Sequence, residues 1–371
     1  MAWHGIQGHD RVVDDFRRCL VRGRLASSFL FVGPEGIGKR AFAVKLAAAL
    51  LCTARPDREM DPCEACPACM QVAAGTHPDL EIIAKPEDKN VLLVEQFIGT
   101  RENRGKEGLC YNLARKPLLG TRKVAIVDDA DLLEAESANC LLKTLEEPPP
   151  RTVLILIGTS AQRQLPTIRS RCQTIAFSPL PADVLADLIL AGGMAEDPDE
   201  ARRLATYSGG SLTGAAEFAD PALWQFRSRL VSELARPDFD VPRLASEVNT
   251  FISEAGKESP PRRARARQVI RFAAEFYGQV VRAASGGNLT EDDELRTAAL
   301  HAVNHGAVSP GAVNHGAASH GARDAESAAA SVERCLEAID HVDRYAYLPT
   351  LVDCWIDEIA RTTVRPSLLT T

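Results

Sequence analysis

Lys123-Val-Ala-Ile-Val-Asp128-Asp129-Ala-Asp131 runs a string of apolar residues straight into acids. A strand that is apolar along its whole length is buried on both faces of a parallel sheet, and it delivers its carboxylates to the carboxyl edge, where open α/β folds bind their ligands. Downstream, Leu133, Ala138, Leu141, Leu142 and Leu145 recur at helical spacing as far as Glu147, and Pro148-Pro149-Pro150 ends that helix. A second buried strand, Val153-Leu-Ile-Leu-Ile157, stops at Gly158-Thr159-Ser160. The loop Leu165-Pro-Thr-Ile-Arg-Ser-Arg-Cys172 then carries two arginines. Together these are the parts of a nucleotide-handling α/β domain.

Upstream, the short strand Phe29-Leu-Phe-Val32 feeds Gly33-Pro-Glu-Gly36-Ile-Gly38-Lys39-Arg40 and an Ala/Leu-rich helix from Ala41 to Leu51. This is the phosphate-loop pattern in its strand-loop-helix setting. Its glycines turn backbone N–H groups inward, the helix adds partial positive charge, and Lys39 reaches outer phosphates. One position departs. Arg40 stands where a Ser or Thr hydroxyl would hold Mg²⁺, and a guanidinium cannot ligate a cation, which argues against hydrolysis. The bland alternative is a loop that keeps its shape and binds nothing. Directly after it, Cys52, Cys63, Cys66 and Cys69 follow the spacing C-x10-C-x2-C-x2-C. Overlapping CxxC units place three thiolates on one metal and Cys52 closes a tetrahedron, a structural site with no open position. An iron-sulfur cluster or free thiols are the alternatives to zinc.

Lys123 to Ser160 followed by Thr167-Ile-Arg-Ser-Arg-Cys172 resembles the clamp-loader branch of the AAA+ family, densely from about Ile6 to about Ala216 and thinly beyond. The Leu141-Leu-Lys-Thr-Leu-Glu-Glu-Pro-Pro-Pro150 run is its most specific part. The resemblance implies Zn²⁺ on the four cysteines and a Walker B role for Asp128. It implies a glutamate beside Asp128 in hydrolysing members, where this chain has the shorter Asp129. Thr159 matches the sensor-1 position, although hydroxyls at strand ends also simply cap turns. Arg171 matches the arginine finger, which acts on the nucleotide of a neighbouring subunit; the plain alternative is a surface arginine. The lid helix of hydrolysing relatives carries an arginine where Gly214 aligns. Losses at Arg40, Asp129 and Gly214 with retention of Arg171 imply a non-motor subunit of the bacterial DNA polymerase III clamp loader, with ATP bound weakly or not hydrolysed. Implied partners are the gamma/tau and delta subunits, the sliding clamp and, through the complex, primed DNA. An ATP-hydrolysing gamma/tau-type subunit is the nearest rival, and a zinc-stabilised DNA-binding protein acting alone is a rival of another class.

Length and composition fit this. A chain of 371 residues, 45% hydrophobic and 25% charged, is enough for two or three domains with real cores. A net charge of -7 argues against wrapping nucleic acid by bulk charge. The sequence has no membrane-length apolar run and no signal pattern at its start, so a cytoplasmic location is expected. The expected organisation is an AAA+ RecA-like α/β domain over 1–178 with its zinc module at 52–69, a helical lid over 179–221, and an all-α collar over 222–371. Within the collar, Ala302-Val-Asn-His-Gly-Ala307 recurs as Ala312-Val-Asn-His-Gly-Ala317, and about 302–325 reads as a flexible insert. Arg262 to Arg267 reads as a solvated helix face.

Overall fold

The computed structural model describes residues 3–86, 89, 91–304 and 324–363. The chain divides into two units, Met1–Ala219 and Asp220–Thr371. In the first unit, β1 (Ser28–Val32), β2 (Leu80–Ile83), β3 (Lys123–Val127), β4 (Thr152–Ile157) and β5 (Gln173–Ala176) form one sheet in the order β2-β3-β4-β1-β5. Every pairing is parallel, with Val124 opposite Val153, Phe29 opposite Ile155 and Leu30 opposite Thr174. After β1 the chain crosses to the far edge, steps back through β3 to β4, and then passes over β1 to β5. The carboxyl ends of β3, β4 and β1 therefore lie side by side, which is where a parallel sheet offers its crevice.

The apolar runs that mark β1, β3 and β4 are buried throughout, as strands covered on both faces must be. Alternate residues serve opposite cores. Phe29, Phe31, Val124, Ile126 and Ile155 face one cluster with Phe16, Phe42 and Leu46 of helices Asp10–Val21 and Lys39–Leu51. Leu30, Ala125, Val127, Leu154 and Leu156 face the other, with Phe97, Leu113, Leu141 and Leu145. Strand β2 buries its two end residues, Leu80 and Ile83.

Two helix starts differ from expectation, each for a local reason, and one break agrees with it. The helix expected from Leu133 begins only at Ala135 and ends at Glu146; a single 3-10 turn, Ala130–Leu132, precedes it because Asp129 adopts positive φ. From Val91 to about Lys116 the spacing is helical with a break indicated near Gly105 and Gly108, and the structure agrees: the region forms two short helices, Val94–Ile98 and Leu109–Ala114, and Gly99, Gly105 and Gly108 between them all take positive φ. Asp183, which the sequence offers as a cap for a helix beginning at Val184, lies instead in the first turn of helix Ala182–Ala191, which starts after Pro181 with no side-chain cap.

The second unit is helical in its described residues: Pro221–Leu234, Val241–Glu254, Ser259–Ala284, Asp293–Asn304, Ala325–Asp343 and Leu348–Thr363. The sequence from Ala325 to Arg361 reads as one final helical region; it is two helices, broken at Tyr345, whose φ is 64°. Val269, Phe272, Phe276 and Val280 bury one stripe of the longest helix. Buried Arg227 is ion-paired to Asp292 at 2.6 Å and Glu294 at 3.2 Å. In the arginine run, Arg265 pairs with Asp220 and Arg267 with Asp343. Residues 305–323, which hold most of the histidine-rich insert, lie outside the described residues.

Candidate functional site

Gly33 to Lys39 closes the end of β1 as a tight loop, with Gly36 and Gly38 at φ 69° and 97°. Gly36 has no room for a side chain, since a Cβ there would lie 2.4 Å from both the Ser211 and Thr213 hydroxyls. Its carbonyl accepts the Leu212 N–H at 3.0 Å, so the start of helix Leu212–Glu217 rests on the loop. From the other side, buried His9 donates from Nε2 to the Ile37 carbonyl at 2.6 Å. Lys39 is buried, and its Nζ donates to the carbonyls of Gly33 and Pro34 at 2.6 and 2.5 Å. Burial lowers its pKa below the ordinary lysine value, against the raising effect of Glu35 and Asp131.

The loop forms one wall of a cleft of about 580 Å³ that also reaches Asp128, Asp129, Asp131 and Thr159 at the ends of β3 and β4. Sequence reasoning brought Gly36, Gly38, Lys39, Arg40, Asp128, Asp129 and Thr159 to one place, and all of them line this cleft. Gly33 sits at its base in the loop, with its N–H donating to the Thr159 carbonyl at 3.1 Å. Within it, Arg40 Nη1 lies 3.2 Å from Asp128 Oδ2. The other Asp128 oxygen accepts the Asp129 N–H at 3.1 Å. Thr159 is held by Asp131, whose Oδ2 accepts both its N–H at 2.6 Å and its hydroxyl at 2.5 Å, while Oδ1 accepts from Gln164. Asp129 has a raised pKa, first through desolvation and then through the Asp128 charge.

Arg171 does not line the cleft. It follows the short helix Pro166–Arg169, with its side chain 33% exposed and fastened to Glu146 Oε1 at 2.5 Å and the Thr167 carbonyl at 2.9 Å. Gly214 is closed to substitution, because a Cβ there would meet the Ser208 carbonyl at 2.6 Å.

The sulfurs of Cys52, Cys63, Cys66 and Cys69 lie within 4.8 Å of one another. Cys52–Cys66 and Cys63–Cys69 are each separated by 3.9 Å. Four thiolates at about 2.3 Å from a tetrahedral ion stand about 3.8 Å apart, so the set fits a four-sulfur metal site. The backbone helps: the N–H of Cys66 points at Cys63 Sγ and that of Cys69 at Cys66 Sγ, at 3.3 and 3.4 Å.

A family model described as DNA polymerase III, delta subunit, matches residues 8–181. The DNA polymerase III subunit delta' of Pseudomonas aeruginosa is 38% identical over 211 residues, 57% of this chain and 61% of that protein. That of Bacillus subtilis is 34% identical over 53% of this chain and 55% of its own length. That of Escherichia coli is 32% identical over 65% of this chain and 67% of its own length. The chain belongs to the DNA polymerase III subunit delta' family. In the first two of these delta' relatives the matched part is less than two thirds of the whole protein. The family-model match takes in the cysteine cluster, Arg171 and the cleft apart from Leu212 and Thr213, and stops short of helix Leu212–Glu217.

Three features of the site were not read from the sequence. Asp131 as the anchor of Thr159 was visible only as a third acid after β3, and His9 only as a polar residue ahead of the first helix. The Arg40–Asp128 pair joins residues 88 positions apart, 128 − 40, and no local pattern announces it.

Proposed function

We propose that this chain is a non-motor, delta'-type subunit of a DNA polymerase III clamp loader. It helps open the sliding clamp for primed DNA by lending Arg171 to a neighbouring gamma/tau-type ATPase. In this reading the AAA+ domain spans 1–178, the lid 179–221 closes on the phosphate loop, and the collar from 222 onward assembles with gamma/tau and delta subunits. The cysteine cluster carries structural Zn²⁺, which supplies cross-linking and no chemistry. Among the described residues no helix is long and apolar enough to cross a membrane.

The observation that carries the proposal is the Arg40–Asp128 ion pair. It occupies the two positions a nucleotide-bound Mg²⁺ needs, so water activation at this chain's own cleft has no cation to work with. Asp129 adds to this, being a methylene shorter than the glutamate that orients water. Arg171 is outside that cleft, braced by Glu146, and partly exposed. A braced guanidinium offered to a neighbour's phosphates stabilises transferring charge.

The test is steady-state ATPase activity with clamp and primed DNA present. The chain alone is expected to show no turnover, and the gamma/tau motor is expected to be stimulated by it and to lose roughly 10³-fold of that rate with Arg171→Ala. Turnover by the isolated chain, abolished by Lys39→Ala, would instead make it an ATPase in its own right.

A further inference from the structure

The cleft keeps most of a phosphate cradle while excluding the cation that normally travels with the phosphates. Gly36 and Gly38 take the positive φ of a phosphate-binding turn, and Lys39 lies buried beside them. At the cation position both Asp128 oxygens are already engaged, one by Arg40 and one by the Asp129 N–H. The Arg40 guanidinium is a cation, so Mg²⁺ would meet a like charge where it needs a neutral hydroxyl. Mg²⁺ also demands near-octahedral oxygen ligation and gives up water reluctantly, so a ligand lost to a cation is not replaced cheaply. Arg40 is not locked away: 58% of its side chain is exposed, and it lines the cleft with Lys85 and Arg163. A guanidinium has five N–H donors, and the ion pair with Asp128 leaves donors for phosphate oxygens.

We infer that the cleft takes the polyphosphate end of a nucleotide without a divalent cation, with Arg40 standing in the place of Mg²⁺ between Asp128 and the phosphates. This rests on the reading of the cleft as a nucleotide site that does not hydrolyse. Lys39 exchanges its two carbonyl acceptors for phosphate oxygens, a trade of neutral for charge-assisted hydrogen bonds. A nucleotide held this way is a fixed part of the subunit, insensitive to the Mg²⁺ that governs its neighbours.

The experiment is a fluorescence titration of the full chain with an N-methylanthraniloyl derivative of ATP, with and without Mg²⁺. The Mg²⁺-free buffer is cleared of divalent ions on a chelating resin, with no free chelator to strip the four cysteines. The expected result is the same affinity in both buffers, within about twofold. Arg40→Ser is expected to weaken Mg²⁺-free binding by about tenfold or more and to recover with Mg²⁺, since one charge-assisted contact is worth that much. Asp128→Asn is expected to bind as well as the parent without Mg²⁺. Lys39→Ala is expected to lose binding in both buffers. No binding in either buffer, binding that appears only with Mg²⁺, or binding untouched by Lys39→Ala overturns the inference. None of these outcomes bears on Arg171, so the stimulation of a partner ATPase stands or falls separately.

Discussion

Asp79 shows how much one side chain can hold. It is 2% exposed, and its carboxylate accepts the N–H groups of Leu118, Leu119 and Gly120 at 2.6, 2.8 and 2.8 Å, fixing the turn that leads into β3. Burial alone would raise its pKa; the N–H groups of Gly120, Leu118 and Leu119 outweigh it and hold the carboxylate below the ordinary Asp range. Asp79→Asn offers one acceptor oxygen in place of two and removes the charge. It is expected to destabilise the first unit by about 2 kcal/mol, read from the midpoint of urea unfolding. Because the folded pKa is depressed, this contribution is complete above the unfolded Asp value of about 3.9 and disappears as pH falls through the lower folded value. The gap between parent and variant is therefore expected to be constant from about pH 5 upward and to narrow below about pH 4. A gap that widened in acid would contradict it. The same principle explains why the cleft was only half readable. Residue types at β-strand ends announce a site, but which acid grips Thr159 and which one Arg40 claims depend on tertiary distances alone.

At the scale of elements, the cysteine knob is the piece whose loss should matter most. It is tied to the amino-terminal arm through Trp3 Nε1 and the Met60 carbonyl at 2.9 Å, and through His4 and Asp61 at 2.6 Å. It is tied to the sheet through Arg122 Nε and Asp57 at 2.9 Å, and to helix Lys39–Leu51 by the Lys45–Glu64 ion pair. Metal binding in such a module contributes folding free energy directly. The purified chain is expected to carry about one zinc per molecule, and Cys63→Ser to lose it and melt at a lower temperature. Elemental analysis and a thermal melt check both, and a variant that kept full zinc and the parent melting point would remove the knob's structural role. Elements of this kind were legible because their signals are local: cysteine spacing, all-apolar strands and glycine-rich turns. Region 91–116 was legible in the same way, since Gly105 and Gly108 mark the break in its helical spacing, and Gly99, Gly105 and Gly108 take positive φ between two short helices. The start of helix Ala135–Glu146 was not, because it follows a left-handed Asp129 that no periodicity reveals.

On the scale of the whole molecule, the two units differ in kind. Both apolar clusters that cover the sheet fall between Trp3 and Phe177, well inside Met1–Ala219. The second unit has its own interior around Phe272, Phe276, Val280, Trp355 and Ile359. A segment with a complete core is large enough to fold alone. A fragment ending at Ala219 is therefore expected to be soluble, to keep its zinc and to unfold in one cooperative transition. That fragment retains Arg171 and the whole cleft but lacks the proposed collar. It should consequently fail to stimulate a gamma/tau motor at concentrations where the full chain does, and regain stimulation only when its concentration is raised far enough to replace assembly by mass action. Stimulation by the fragment at full-chain concentrations would mean that the collar contributes nothing to placing Arg171. A fragment that precipitates or loses its zinc would mean that the first unit depends on the second for its fold. The two readouts separate the chemistry proposed for Arg171, which lies in one loop, from the assembly proposed to bring that loop to a neighbour.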